Sequence, residues 1–212
     1  MARLANDGKC GLCGHITAKT QMSRHLASCA PARDGKGQRD RFVQLRLEAA
    51  GDSRYWLQVE ARQDATLKQL DALLRRVWLE CCGHMSAFHL GDAEPSMRSK
   101  VGAVFHAQGL RFEHEYDFGD TTVLKGKVLG AREGAPGRSA VRVLARNLPL
   151  QWSCATCGAE AVVICPFCVH DDQSNCLFCE SHAGSHPCAK EEVFLPVVDS
   201  PRMGVCGYTG AG

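Results

Sequence analysis

Two groups of cysteines and histidines stand at metal-ligand spacing. The first is Cys10-x2-Cys13-x11-His25-x3-Cys29. Two thiols three residues apart form a tight knuckle, and a His and a Cys four residues apart share one face of a helix. Together they complete a tetrahedral shell with no open position, as in a structural zinc site. The second group is Cys154-x2-Cys157, Cys165-x2-Cys168 and Cys176-x2-Cys179, followed by His182, His186 and Cys188. Two closed four-coordinate sites need only eight of these nine residues. Neither group leaves a vacant position for water, so neither reads as catalytic zinc.

The chain has 212 residues and 13 cysteines, an odd number that excludes a complete set of disulfides. Met1–Lys9 is polar with no apolar stretch after it, and no run is long enough to span a membrane. A cytoplasmic setting without membrane contact is expected, and there CxxC pairs more often bind metal. Three cysteines fall in residues 1–40, two in 41–150 and eight in 151–212. That distribution divides the chain into a Cys-Cys-His-Cys finger with its linker (1–40), a middle domain (41–150), and a two-zinc module with a tail (151–212). The net charge of +2 is uneven. Residues 1–40 carry seven Lys/Arg against three Asp/Glu, whereas 151–212 carry two against seven.

How the C-terminal ligands pair is open on spacing alone. A sequential ribbon would use Cys154, Cys157, Cys165 and Cys168. A cross-braced arrangement would put the first and third ligand pairs on one metal and the second and fourth on another. The stretch Phe178-Cys179-x2-His182-x3-His186-x-Cys188 resembles the tail of the AN-one-type zinc finger. The resemblance implies one site from Cys154, Cys157, Cys179 and His182, and another from Cys165, Cys168, His186 and Cys188, with Cys176 left over. Pairing Cys176 with Cys179, which would release His182, is the alternative.

Elements that position this chemistry are clearest in the middle. Phe42–Ala49 alternates, with Val43, Leu45, Leu47 and Ala49 on one face. Tyr55, Leu57, Val59 and Ala61 repeat the pattern beyond Gly51-Asp52, which predicts a hairpin. Thr66 and Gln69 form a capping box. Leu67, Leu70, Leu73, Leu74, Val77, Trp78 and Cys81 then recur at helical spacing up to Gly83. Strands are expected at Ser86–Leu90, Phe112–Phe118, Thr121–Leu129 and Ala140–Ala145. The fold class is therefore α+β: a helix packed on a mixed or antiparallel sheet, flanked by the two cysteine-rich ends.

Leu67–Trp78, then Cys82-Gly83-His84-Met85-Ser86-Ala87-Phe88, then Tyr116-Asp117-Phe118-Gly119-Asp120, resemble the plasmid Ri open-reading-frame-three-like family. Its members are often labelled mobile-element passenger proteins. The resemblance covers about residues 41–130 and implies an α+β domain without a secure activity. Thr121-Thr122-Val123 departs from it, where an aromatic and a further His are expected.

Three other features bear on function. Asp117, Asp120, Glu113, Glu115 and His114 cluster in sequence, as acid–base groups or cation ligands would; a tight hairpin turn with solvated glutamates is the plainer reading. Cys81 reads as a core residue, and Cys82 beside His84 lacks the orienting third group of a Cys-His nucleophile. Cys206 is either a reactive thiol or a small residue in a packed turn. In the finger, base-reading positions would fall on Ala18, Gln21 and Arg24, with Met22 in the core. A single finger buries little interface, so only weak nucleic-acid binding is expected.

No phosphate-cradling loop, nucleophile elbow or metalloprotease helix is present. The leading expectation is a non-enzymatic binding or adaptor protein that holds three Zn²⁺ and meets a protein partner. Nucleic-acid binding through the finger and an enzyme built around Asp117 and Asp120 are the alternatives.

Overall fold

The computed structural model describes residues 6–135, 137, 139–170, 175–191 and 193–210. The chain divides into two compact units: Met1–Arg75 with Met85–Leu148, and Arg76–His84 with Pro149–Gly212.

The first unit is a mixed α+β structure on a large antiparallel sheet. Strands β1 (Asp7–Cys10) and β2 (Ile16–Ala18) lead into helix α1 (Lys19–Cys29). Then come β3 (Asp40–Ala49), β4 (Trp56–Arg62), helix α2 (Leu67–Leu74) and β5 (Ser86–His89). The short helix α3 (Val101–Val104) precedes β6 (Arg111–Tyr116), β7 (Thr122–Gly134) and β8 (Val141–Asn147). The sheet order is β2-β1-β8-β4-β3-β7-β6-β5, every pair antiparallel.

The β3–β4 hairpin is the one the alternation predicts, with Leu45 opposite Val59. In β3 the alternation separates buried Leu45 and Leu47 from half-exposed Gln44 and Arg46. In central β4 both faces are buried, including Gln58 and Glu60. The Gln58 amide donates to Ser23 Oγ on α1 at 2.9 Å. The finger helix thus covers the face that the polar residues of β4 present.

The finger is built into the sheet. Strand β1 pairs with β8, setting Cys10 opposite Ala145. Met22 and Leu26 of α1 share one buried cluster with Trp56, Leu144 and Ala145. Gly8 is required here, because a Cβ would stand 2.1 Å from the Trp56 ring. A short finger that cannot enclose its own core borrows one from the strands beside it.

Residues 31–40, expected to be a plain linker, are tied to the sheet. Arg132 forks onto Glu60 through Nε (2.8 Å) and Nη2 (3.0 Å). It forks equally onto Asp34 through Nη1 (2.8 Å) and Nη2 (3.1 Å). Arg142 adds an Nε bond to Glu60 at 2.7 Å. Glu60 is fully buried, and two guanidinium groups compensate its charge.

Helix α2 starts as its capping box predicts. Thr66 Oγ1 accepts from the Gln69 amide at 3.3 Å, and Gln69 Oε1 accepts from the Thr66 amide at 2.9 Å. Thr66→Ala should cost about 1 kcal/mol, read from the shift in urea midpoint. The helix does not run to Gly83 in one winding. Arg75–Leu79 is a π-type turn, which adds a residue per turn and breaks the 3.6-residue phase. Trp78 is buried as the stripe predicts and Leu79 joins it, whereas Val77 is half-buried and Cys81 leaves the apolar stripe and is partly exposed.

The second unit is small. Its strands β9 (Val163–Ile164), β10 (Leu177–Phe178) and β11 (Leu195–Pro196) form an antiparallel sheet in the order β10-β9-β11. Short helices α4 (Pro166–His170) and α5 (Glu180–Ala183) sit between them. Strand β11 brings the tail into this sheet, with Leu195 opposite Ile164. Among the described residues no helix is long and apolar enough to cross a membrane.

Candidate metal centres

Cys10 closes β1, and its backbone builds the knuckle: the Cys10 amide donates to His15 O and the Gly14 amide to Cys10 O. Cys13 lies in that turn, while His25 and Cys29 face it from α1, one helical turn apart. Cys13 Sγ is 3.3 Å from His25 Nε2, and Cys10 Sγ is 3.9 Å from Cys29 Sγ. Ligand atoms of a tetrahedral zinc, with Zn–S about 2.3 Å and Zn–N about 2.1 Å, stand about 3.5–3.8 Å apart. The four donors can therefore hold one ion.

The second unit brings together two interleaved sets. Cys154, Cys157, Cys179 and His182 form one, and Cys165, Cys168, His186 and Cys188 the other; within each set the ligand atoms lie within 4.8 Å of one another. Cys157 Sγ is 3.8 Å from Cys179 Sγ, and His182 Nδ1 is 3.2 Å from Cys179 Sγ. In the other set His186 Nε2 is 3.3 Å from Cys168 Sγ. A turn in which the Gly158 amide donates to Cys154 O supports the first knuckle. The second is held where the Cys165 amide donates to Cys176 O. Cys176 belongs to neither set, and burial pushes its thiol up.

One buried cluster of this unit consists largely of ligand sulfurs. Cys154, Cys165, Cys168 and Cys179 cluster with Phe178, whose ring lies 4.5 Å from that of His186. None of the cysteines is in a disulfide. Burial raises the Cys154 thiol, but backbone amides of Cys179, Cys157 and Thr156 outweigh it and bring the group down to about 6. Cys168 is pushed up to about 12 by burial and by the sulfur of Cys165. In the Cys154 set a thiolate thus forms readily, whereas the raised Cys168 thiol needs a cation to offset the repulsion of its neighbours.

A further cluster was not anticipated from spacing. Cys81, Cys82 and His84 meet Cys206, again with all ligand atoms within 4.8 Å. Cys82 Sγ is 3.8 Å from Cys81 Sγ, 3.6 Å from Cys206 Sγ and 2.9 Å from His84 Nε2. His84 Nε2 is 3.2 Å from Cys206 Sγ. The turn Cys82-Gly83-His84 depends on Gly83 at φ +84°. Cys81 is thus not the core residue its apolar stripe suggested, and exposed Cys206 is more than a turn filler. The groups that accompany Cys82 and His84 are two thiols, which makes a ligand cluster and not an oriented Cys-His nucleophile pair. Cys82-x-His84 was the visible signal, but its fourth member lies over a hundred residues away.

No family model matches the chain, and no curated protein matches it. Among solved structures it is similar to MM3350 from Methanosarcina mazei Go1, a protein of unknown function. The likeness has 17% identity and a TM-score of 0.42, over 50% of this chain and 69% of that one.

The remaining candidates separate. Tyr116-Asp117-Phe118-Gly119-Asp120 is the turn between β6 and β7, with Tyr116 opposite Thr122. Asp117 has φ +66°, and its Oδ1 accepts from the Gly119 amide at 3.1 Å, so it organises the turn. Asp120 is exposed, and so is Phe118, which leaves the aromatic face because the strand has ended. Glu113 and Glu115 alternate with buried His114, with Glu115 paired to His89 at 3.4 Å. His114 Nε2 instead meets Asp71 Oδ1 on α2 at 2.8 Å, and Ser86 Oγ donates to the same oxygen at 2.7 Å.

Burial raises the Asp71 carboxyl, but bonds from His114 and Ser86 outweigh it, so it lies below the usual carboxylate range. A depressed native pKa stabilises the fold above the unfolded value of about 3.9, and that stability is lost as pH falls through the native value. Asp71→Asn should therefore be less stable than the parent near neutrality, with the gap closing below about pH 4. Urea midpoints across that range check it; a gap independent of pH would exclude the linkage.

In the finger, Lys19 Nζ is engaged by Glu48 Oε2 (3.2 Å) and Ser53 O (2.9 Å), which occupies one of its basic residues within the fold. Gln21 and Arg24 are exposed on α1, and Met22 is buried as expected.

Proposed function

We propose that the chain is a zinc-folded, non-enzymatic binding or adaptor protein. The observation that carries this reading is the interleaving of Cys154, Cys157, Cys179 and His182 with Cys165, Cys168, His186 and Cys188. Each set supplies four donors, which fills a tetrahedral shell and leaves no position for substrate or activated water. Mixed thiolate and imidazole donors at tetrahedral separations suit zinc. The Cys10, Cys13, His25 and Cys29 set supplies a third site of the same type. The acidic excess of residues 151–212 favours a protein partner with a basic surface over a nucleic acid. The plasmid Ri-like resemblance of the middle domain supports a mobile-element association.

Cobalt substitution tests the closed shells. The Co²⁺-loaded full chain should show intense tetrahedral thiolate spectra that added azide or cyanide leaves unchanged. An anion-dependent shift would reveal an open position and overturn the non-catalytic reading. Cys176→Ser should retain the parent's zinc content by native mass spectrometry; loss of an equivalent would place Cys176 in a shell.

A further inference from the structure

We infer that Cys81, Cys82, His84 and Cys206 form an additional structural zinc site, which fastens the C-terminal tail to the segment following α2. This goes beyond the three sites above and uses none of their ligands. Three sulfurs and one imidazole nitrogen converge, and Cys82 Sγ stands 3.8 Å and 3.6 Å from its two sulfur neighbours. Those separations match the edges of a zinc tetrahedron, about 3.8 Å. A two-thiol redox pair would need neither Cys81 nor His84, whose Nε2 faces both Cys82 and Cys206.

The backbone on both sides is arranged to present these atoms. The Gly83 amide donates to Glu80 Oε1 at 2.7 Å, which fixes the turn carrying Cys82 and His84. From the tail, buried Ser200 donates through Oγ to Trp78 O at 2.6 Å and accepts from the Arg202 amide at 2.9 Å. Successive turns follow, closed where the Val205 amide donates to Arg202 O and the Tyr208 amide to Val205 O. Tyr208 is buried, which anchors the far side of the turn. Between these anchors Cys206 adopts φ +49°, a conformation that residues other than glycine, asparagine and aspartate rarely take. The hydrogen bonds and the burial of Tyr208 hold it there, with its sulfur turned to Cys82 and His84.

Zn²⁺ fits best, because three thiolates and one imidazole form a closed, borderline-soft tetrahedral shell. Binding replaces thiol protons by the metal and involves no redox change. With every position filled the site holds structure and performs no reaction. It would also shield the exposed Cys82 and Cys206 sulfurs from oxidation.

The test is native mass spectrometry of the full chain, zinc-loaded under reducing conditions, beside Cys206→Ala and His84→Ala. The parent should carry four zinc ions, one per cluster, and each variant one fewer. A parent with three, unchanged in both variants, would overturn this site and leave the proposed function standing. A parent with none would overturn both. Differential alkylation of the parent covers the case in which a variant does not fold. Cys81, Cys82 and Cys206 should be protected in the loaded chain and modified after chelation. Equal modification of Cys82 and Cys206 with and without zinc would overturn the site, as would a Cys82–Cys206 disulfide in the loaded chain.

Discussion

Cys165→Ser is expected to cost the chain one zinc ion and the folded state of residues 154–188. Cys165 is fully buried, and its set shares one interior with the neighbouring set. The buried members of that cluster are four ligand cysteines and Phe178, with Phe194 only partly buried against them, so little apolar burial remains there to replace the metal. Structural zinc contributes about 10–16 kcal/mol in small domains, more than the whole stability of most folds. Amide hydrogen exchange should show protection lost across 154–188, including the Cys154 set that retains all its ligands. Strands β3, β4, β7 and β8 should keep their protection, since their ladder stands on aliphatic burial. Protection retained at Cys154 and Cys179 would mean that the two sets fold independently.

Arg132→Ala should be the most destabilising charge deletion in the first unit, by about 3 kcal/mol. The substitution strips two oxygens of Glu60 and two of Asp34 at once. Glu60 then retains Arg142, which places the loss at the low end of the range for broken buried pairs. Arg132→Lys should recover only part, because one ammonium cannot fork onto two carboxylates. Glu60→Gln in the Arg132→Ala background should regain stability by removing the uncompensated charge. Denaturant midpoints of the four proteins check the series. A loss no larger than that of an exposed pair, below about 1 kcal/mol, would show the cluster to be solvated.

These two expectations differ in how far the sequence discloses their residues. Zinc knuckles are local, so Cys10-x2-Cys13 and Cys154-x2-Cys157 are legible from spacing alone. The hairpin at Gly51-Asp52 and the Thr66 capping box are legible for the same reason, since each is decided within a few residues. Pairing in the second unit was not decided by spacing, because several tetrads satisfy the same donor count; folding brings Cys179 and His182 to Cys154 and leaves Cys176 aside. The Arg132 cluster joins positions 34, 60, 132 and 142, and no period in the chain marks charges that meet only across strands. Asp71 was hidden inside an apolar helical stripe, and its partner His114 stood out only among sequence neighbours that it does not meet in the fold. The π-type turn at Arg75–Leu79 misled most directly. It moved Cys81 out of the stripe and into a cluster completed from the far end of the chain.

Interleaving also sets the order in which the second unit can be made. Synthesis adds roughly 5–20 residues per second, so Cys154, Cys157, Cys165 and Cys168 emerge before His182 and Cys188 exist. For about a second or more a nascent chain displays four thiols able to capture one metal as a sequential ribbon. That early chelate uses half of each final set and must exchange ligands before either native shell can close. If the proposed zinc ions fill these sets, a supply that allows rapid ligand exchange would favour native loading, and abrupt metal excess during synthesis would favour the trapped ribbon.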